Sequence, residues 1–336
     1  MRNHIFRLFA SILLILPTST MTVGQDVEHP MRMPAVFHDV LIFVEPVSED
    51  GDTLRFFTDS ADGTIIYKGT VDRISLTTTS AIIQDQQQLA AFLPPMDSSD
   101  FIPPPMVSDG LVPVRADDRM PPHHRAILHD TAPGQRSGRP GDGILGSTWF
   151  AGRAWTVDFR EQTLYAVPVD MTPSATGDDG EVVSISFFEE GDRRRYHFAR
   201  VPVVVSGDSV SMVLKTGSHI QLTDAAREEL DFDGALFPAG LISESVADEW
   251  LREHPEWRVY EAADRNYGSD VIEVPEVQVG AHRSGPVHFA VRRDEAFTDW
   301  FSQFTDKPVA GALGADAFRG TRITVNYPRS VLIFHE

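Results

Sequence analysis

The sequence predicts an all-β protein built from two similar halves. Three observations predict this class: strand-like apolar runs separated by turn residues, few helical patterns, and one segment that occurs twice. The runs are rich in Val and Ile, residues that favour strands, and Gly, Pro, Asp and Asn separate them. They lie at residues 40–44, 64–67, 182–188, 201–205 and 210–214.

Helical patterns are short. The clearest covers residues 245–253, where Val246, Trp250 and Leu251 form an apolar stripe and Ser245 is a possible N-cap. Shorter candidates lie at 223–230 and 295–304. The sequence therefore predicts a few short helices within a β-rich fold.

The N-terminal residues have the order typical of a secretory signal peptide. Arg2 and Arg7 precede an apolar run at 8–16, and Pro17 and small polar residues follow it. The run is too short to cross a hydrocarbon layer, which needs about 20 residues. We expect a signal peptide at residues 1–24, export to a secreted or periplasmic location, and no membrane span after cleavage.

Composition excludes several classes of function. The 336 residues contain no cysteine, which excludes disulfides, thiolate catalysis and cysteine metal sites. The formal charge of −20 would repel nucleic acid, so no nucleic-acid partner is expected. His123, His124 and His129, with Asp130, could be interpreted as a metal cluster, but the Pro-rich flanks favour solvated loop histidines. We expect no metal and no cofactor.

Two polar stretches divide the chain. Residues 94–142 are rich in Pro, Asp, Arg and His and have almost no apolar period, which predicts a long irregular excursion. Residues 172–181 are a natural linker. These boundaries predict a first lobe at 37–170, which contains the excursion, and a second lobe at 182–336.

An internal repeat is the most informative feature of the sequence. Residues 143–164 align without a gap on residues 311–332, and eight of the 22 positions are identical. Background composition predicts about one or two identities. A second shared element lies upstream of each copy, reading FFTDSA at 56–61 and MVLKTGS at 212–218. Two lobes with related architecture follow from this repeat.

These paired elements resemble the signature of aspartic peptidases, in which an apolar strand runs into Asp-Thr/Ser-Gly/Ala and two apolar residues and Gly follow later. The resemblance covers most of residues 37–336 and is closer in the second half. It implies a two-lobed pepsin-like acid-protease fold made of two retropepsin-like β-barrel lobes. It also implies that Gly146 and Gly314 pass behind the active turns, where a Cβ would block the approach.

In working members of that family, two aspartates share one water and one proton, one acting as base and the other as acid. Asp59 lies where the first aspartate belongs, and Lys215 lies where the second belongs. Asp208 and Asp224 fall in a preceding hairpin turn and at a later helix start, so neither reaches the dyad position.

The turn residues around the dyad also match the family. Ser60 and Ala61 stay within its tolerance, and Thr216 and Gly217 complete the second turn. By resemblance, the hydroxyls of Ser60 and Thr216 brace the two turns, and residues 67–79 hold the first-lobe flap or the strand leading to it.

An ammonium about 4 Å from a carboxylate attracts it by about 4 kcal/mol at an effective dielectric near 20. We therefore expect an ion pair that keeps Asp59 charged and abolishes the peptidase mechanism. The favoured function is a non-catalytic peptide-binding or regulatory protein that holds an extended peptide or protein ligand in the cleft between its lobes. Two alternatives remain open: an active aspartic endopeptidase that uses Asp59 with an atypical partner, such as Lys215 as general acid, and a structural or carbohydrate-binding β protein of the cell envelope.

Overall fold

The computed structural model describes residues 27–335, apart from 84–85, 98, 105–110, 117–119, 129–140, 172–180 and 192. The expected signal peptide at 1–24 and most of the expected linker at 172–181 lie outside the described residues. Within the described ranges, no helix is both long enough and apolar enough to cross a membrane.

The described residues of the first half contain eleven strands. They are β1 (Met31–Arg32), β2 (Ala35–His38), β3 (Leu41–Val44), β4 (Phe56–Thr58), β5 (Ile65–Tyr67), β6 (Thr78–Ile83), β7 (Gln86–Phe92), β8 (Leu111–Arg115), β9 (Gly143–Leu145), β10 (Ala154–Asp158) and β11 (Thr163–Val167).

The second half has a similar density of strands. They are β12 (Glu181–Ser184), β13 (Glu189–Glu190), β14 (Arg193–Arg194), β15 (Arg200–Val205), β16 (Asp208–Leu214), β17 (His219–Ile220), β18 (Phe237–Pro238), β19 (Gly240–Ser243), β20 (Arg258–Tyr260), β21 (Val271–Val274), β22 (Val277–Val279), β23 (His282–Ser284), β24 (Val287–Arg292), β25 (Gly311–Leu313), β26 (Arg322–Asn326) and β27 (Val331–His335). The predicted all-β class is confirmed.

Helices are short, as predicted. They are α1 (Lys68–Arg73), α2 (Pro122–Leu128), α3 (Ser147–Phe150), α4 (Asp224–Glu229) and α5 (Glu244–Glu253), with single turns at Val169–Met171, Ala296–Trp300, Phe301–Phe304 and Ala315–Phe318. The prediction of Ser245 as N-cap is wrong, because α5 begins one residue earlier and its N-cap is Ser243. The N-cap of α4 is Thr223, whose hydroxyl accepts a hydrogen bond from the Ala226 N–H.

Three large sheets organise the described chain. An eight-stranded sheet belongs to the first half, in the order β2-β3-β4-β9-β5-β8-β7-β6. A nine-stranded sheet belongs to the second half, in the order β20-β21-β24-β19-β25-β16-β15-β22-β23. The six-stranded sheet β1-β11-β10-β26-β27-β12 takes strands from both halves and joins them.

The sequence repeat is a structural repeat. Strands β9, β10 and β11 recur as β25, β26 and β27, and α3 recurs as the turn at Ala315–Phe318, each 168 residues later. Strands β10 and β26 pair antiparallel, with Thr156 opposite its own repeat partner Thr324. Their hydroxyl oxygens lie 2.7 Å apart. The local two-fold axis relating the halves therefore passes between these two threonines.

The expectation that residues 94–142 form an irregular excursion is wrong in part. This stretch contains β8, which pairs with β5 and β7, and α2, which carries buried Ile127. Ile127 packs in an apolar cluster with Met120, Tyr67 and Leu236, the last from the second half. The apolar positions of α2 are too few to give a periodic signal, so only packing reveals the helix.

The flap prediction at 67–79 is also corrected. Residues 68–73 of that range form α1, and the two-stranded hairpin β6–β7 begins at Thr78. Strand β6 lies at the edge of its sheet. On one face of the hairpin, Ile82 and Leu89 are exposed by 68% and 42%.

Candidate functional site

Each half contains one strand that runs into a turn and one parallel partner that runs beside it. Strand β4 leads to Asp59 and pairs with β9, so that Phe56 is opposite Gly143. Strand β16 leads to Lys215 and pairs with β25, so that Met212 is opposite Gly311. The same strand geometry therefore delivers residue 59 and residue 215 to equivalent places.

Glycine is required at two positions where the backbone passes close to the first turn. A Cβ on Gly146 would lie 2.3 Å from the Asp62 carbonyl oxygen, and a Cβ on Gly217 would lie 2.6 Å from the Asp59 Cβ. Neither distance is possible for a real side chain, so these glycines let the turns approach closely. At Gly314 the nearest atom to such a Cβ is Asp316 Oδ1 at 2.8 Å.

Hydroxyl groups join the two turns. The Ser60 hydroxyl donates to the Leu214 carbonyl oxygen at 2.7 Å and accepts from the Thr216 N–H at 3.0 Å. In return, the Thr216 hydroxyl oxygen accepts from the Ser60 N–H at 3.2 Å. These contacts place the two turns directly against each other.

Asp59 and Lys215 meet at the centre of this arrangement. The Lys215 Nζ lies 2.5 Å from Asp59 Oδ2, and only 9% of the lysine side chain and 4% of the aspartate side chain are exposed. The other carboxylate oxygen, Asp59 Oδ1, accepts from the Ala61 N–H at 3.0 Å. The site is thus a buried ion pair across the junction of the two halves.

Two further residues that the sequence did not reveal join the pair. Asp62 Oδ2 lies 3.8 Å from the Lys215 Nζ, and the His124 Nε2 lies 2.8 Å from the same oxygen. His124 comes from α2 and its side chain is 5% exposed. The interpretation of His124 as a solvated loop residue is therefore wrong, whereas His129 and Asp130 lie outside the described residues.

The charges around Lys215 keep it protonated. Burial by itself would lower the pKa of Lys215, but the attraction of Asp59 and Asp62 and the hydrogen bond to Asp59 outweigh it and raise that pKa above its ordinary value. The ammonium therefore holds its proton throughout the neutral and acid range.

The second turn contains donors without partners in the described chain. The Ala61 N–H bonds the Asp59 carboxylate, but no hydrogen bond from the equivalent Gly217 N–H is found among the described residues. The Ser218 hydroxyl is also without a partner there, although the residue is only 1% exposed. An ammonium at position 215 offers neither group an acceptor.

Neither other aspartate considered from the sequence reaches the pair. Asp208 begins β16 at its far end and is exposed. Asp224 begins α4 and pairs with Arg265.

Two surface cavities lie away from the ion pair. One has a volume of about 660 Å³, and its lining includes His282, His288, Asp316 and Arg319. The other has a volume of about 900 Å³ and is lined mainly by residues 27–35. Neither is lined by Asp59 or Lys215. No group of three or more metal-ligating side chains is arranged to hold an ion in the described ranges.

No protein-family model matches the sequence, and no curated protein matches it. Among solved structures, the chain is similar to an aspartic proteinase from Irpex lacteus, with 10% identity, a TM-score of 0.47, and coverage of 91% of this chain and 97% of that chain.

Two seed proteins are also similar. Conglutin gamma, a basic 7S globulin from lupine seeds, has 10% identity, a TM-score of 0.44, and coverage of 92% of this chain and 95% of its own. Basic 7S globulin from soybean has 8% identity, a TM-score of 0.40, and coverage of 91% and 96%.

These TM-scores are low, so the chain's own geometry defines its fold. Duplicated halves, a shared central sheet, two strand–turn units and reciprocal bonds between the turns together make an aspartic peptidase-like, all-β fold.

Proposed function

We propose that this chain is an exported, non-catalytic relative of the aspartic peptidases that binds an extended peptide or protein segment between its halves. One observation carries the proposal: the Lys215 Nζ lies 2.5 Å from the only carboxylate at the dyad position, Asp59.

The chemistry of the family explains why this pair opposes hydrolysis. The reaction needs one carboxylate to take a proton from water and a second, protonated carboxyl to polarise the carbonyl of the scissile bond. Lys215 removes the second group and neutralises the first. Because the pKa of Lys215 is raised, the ammonium is also a weak acid, which disfavours the alternative in which Lys215 acts as general acid.

Peptide binding does not depend on the dyad. An extended peptide binds by backbone hydrogen bonds to an exposed strand edge, and neighbouring side chains give specificity. The β6–β7 hairpin offers such an edge, and Ile82 and Leu89 provide exposed apolar side chains on it.

Export is proposed from the leader at residues 1–24. Expression of the full chain in a bacterial host, followed by N-terminal sequencing of the extracytoplasmic fraction, tests it. A mature protein that begins near Gln25 supports export, and an intact chain found only in the cytoplasm contradicts it.

The decisive experiment compares peptide hydrolysis at acid pH by the natural protein and by Lys215→Asp. We expect no hydrolysis by the natural protein and measurable hydrolysis by the variant, inhibited by a statine-containing peptide. The variant restores a second carboxylate beside Asp59, and the Gly217 N–H is equivalent to the Ala61 N–H that bonds Asp59. Lys68→Asp, at an exposed lysine on α1, is the control, because it changes the net charge by the same two units.

Two results would contradict the proposal. Statine-sensitive hydrolysis by the natural protein would favour an active endopeptidase with an atypical partner for Asp59. A folded but inactive Lys215→Asp variant would show that the lysine is not what prevents catalysis.

A further inference from the structure

The cavity of about 660 Å³ lies in the second half, away from the ion pair of Asp59 and Lys215. Its lining comes from residues just before β22, from β23 and the turn that follows it, from the start of β24, and from the segment around residues 316–321. Cavities of about 300–1,000 Å³ hold small-molecule ligands in other proteins. This one is therefore large enough for a ligand of its own.

The lining of this cavity is polar. Its ionisable side chains are those of Glu276, His282, Arg283, His288, Asp316 and Arg319, and two prolines supply its apolar side chains. Ligand cavities are usually lined mainly by apolar and aromatic side chains. An apolar ligand here would take the polar groups out of water without replacing their hydrogen bonds, which costs free energy. The lining therefore favours a polar ligand.

Both arginines of the lining are paired with carboxylates. Arg283 pairs with Glu276, which also lines the cavity. Arg319 pairs with Asp39 of the first half and uses both of its carboxylate oxygens, one of them at 2.7 Å. An anionic ligand would have to compete with these carboxylates for each guanidinium, so the lining does not favour an anion.

The other titratable groups of the lining add little charge at neutral pH. Burial lowers the pKa of His282 and the pKa of His288, so both imidazoles are neutral there. Burial also raises the pKa of Asp316 to about 7, so its carboxyl is partly protonated. Behind His288, Glu273 and Arg258 act on the ring with opposite signs. The cavity therefore carries little net charge and does not favour a cation either.

Each ion pair presents hydrogen-bond donors and acceptors side by side. A guanidinium has N–H donors beyond those it gives to one carboxylate, and a carboxylate oxygen accepts more than one hydrogen bond. The side chains of Arg283 and Glu276 are 60% and 51% exposed, and that of Arg319 is 56% exposed, so a ligand can reach them.

The buried part of the lining has further unused hydrogen-bonding capacity. Asp316 Oδ1 and His282 Nε2 are buried and have no hydrogen-bond partner among the described residues. Buried polar groups are normally bonded, so these two atoms require an explanation. The His282 ring is also held in place, because it stacks on Phe334 with 4.3 Å between ring centroids.

We infer that this cavity binds a neutral, polyhydroxylated ligand, namely a saccharide. Each saccharide hydroxyl both donates and accepts a hydrogen bond, and neighbouring hydroxyls on one ring match the adjacent donors and acceptors of an ion pair. A neutral ligand also leaves the pairs of Arg283 and Arg319 with their carboxylates intact. This site is separate from the proposed peptide-binding function and does not depend on it.

The test is binding of the full-length protein to an array of neutral oligomers of glucose, galactose, mannose and N-acetylglucosamine, followed by calorimetric titration with the oligomer that binds best. We expect at least one oligomer to bind, and Arg283→Met and Glu276→Gln to weaken its binding about tenfold each. Arg195→Met is the matched control, since Arg195 also pairs with an exposed glutamate but does not line the cavity, and it should bind normally.

Three results would overturn the inference. The first is that no neutral oligomer binds, and the second is that Arg283→Met and Glu276→Gln both bind the oligomer as the natural protein does. The third is that inorganic phosphate displaces the oligomer from the natural protein, which would show an anion site instead. Equal thermal unfolding of the variants and the natural protein shows that folding is intact.

Discussion

Ser60 and Thr216 hold each other across the junction of the two halves. The backbone N–H of each donates to the side-chain hydroxyl of the other, at 3.2 Å and 3.0 Å. The Ser60 hydroxyl also donates to the Leu214 carbonyl oxygen. Because all these groups are buried, the two turns are fixed whether or not the residues beside them are catalytic.

Ser60→Ala should destabilise the protein by about 2–3 kcal/mol, because the Leu214 carbonyl and the Thr216 N–H both lose a partner in a buried place. Urea unfolding followed by circular dichroism measures this change. Ser80→Ala is the control, since Ser80 is exposed on β6 and should change stability very little. Equal losses in the two variants would show that the contact between the turns contributes nothing.

Lys215→Met should cost about 3–5 kcal/mol of unfolding free energy at neutral pH, because it leaves the Asp59 carboxylate buried without its counter-charge. The pKa of Lys215 is raised in the folded state, so the stabilisation is present below the ordinary lysine pKa and is lost only as pH rises through the raised value. Chemical denaturation at neutral pH measures it.

Lys68→Met is the matched control for that variant. Lys68 pairs with Asp72 on α1, and both side chains are exposed, by 42% and 62%. An exposed pair of this kind contributes about 0–0.5 kcal/mol. A loss at position 215 no larger than the loss at position 68 would contradict the buried ion pair.

Gly217→Ala should destabilise the protein, because the added methyl group would overlap Asp59 and the Thr58 carbonyl oxygen. Overpacking of this kind typically costs about 1–3 kcal/mol. Gly63→Ala is the control, since a Cβ there would find its nearest neighbour at 3.9 Å. Thermal unfolding of both variants compares them. If Gly217→Ala unfolds like Gly63→Ala, the two turns are farther apart than described.

Asp316 should make stability fall as pH rises. Burial raises the pKa of Asp316 from 3.8 to about 7, although the His288 N–H and Arg319 oppose the shift. The folded state therefore binds a proton more tightly than the unfolded state, and the stability linked to that proton is lost between about pH 4 and pH 7.

Asp316→Asn tests this linkage, because an amide oxygen can still accept from the His288 N–H but does not ionise. Relative to the natural protein, the variant should gain about 4 kcal/mol between about pH 4 and pH 8, measured by urea unfolding at each pH. A constant difference between the two proteins across that range would rule out a raised pKa at Asp316.

Periodicity and repetition made much of the fold predictable. Strands β3, β5, β15 and β16 lie where apolar runs predicted them, and the duplicated segment predicted two halves of related architecture. Both signals can be read from the sequence alone, because one depends on neighbouring residues and the other on comparing two segments of the same chain. The flap and the excursion were placed less well, because α1 and α2 are one or two turns long and carry little periodic signal.

Part of the candidate site could likewise be predicted from the sequence, and part could not. Sequence by itself determined which side chains stand at positions 59 and 215, because each follows an apolar strand inside a repeated motif. Tertiary structure alone decided that Asp62 and His124 join them, since 62 positions separate these two residues and only the packing of α2 on the first-half sheet brings them within 2.8 Å. No local pattern encodes a contact of that kind, because it depends on how whole elements pack together.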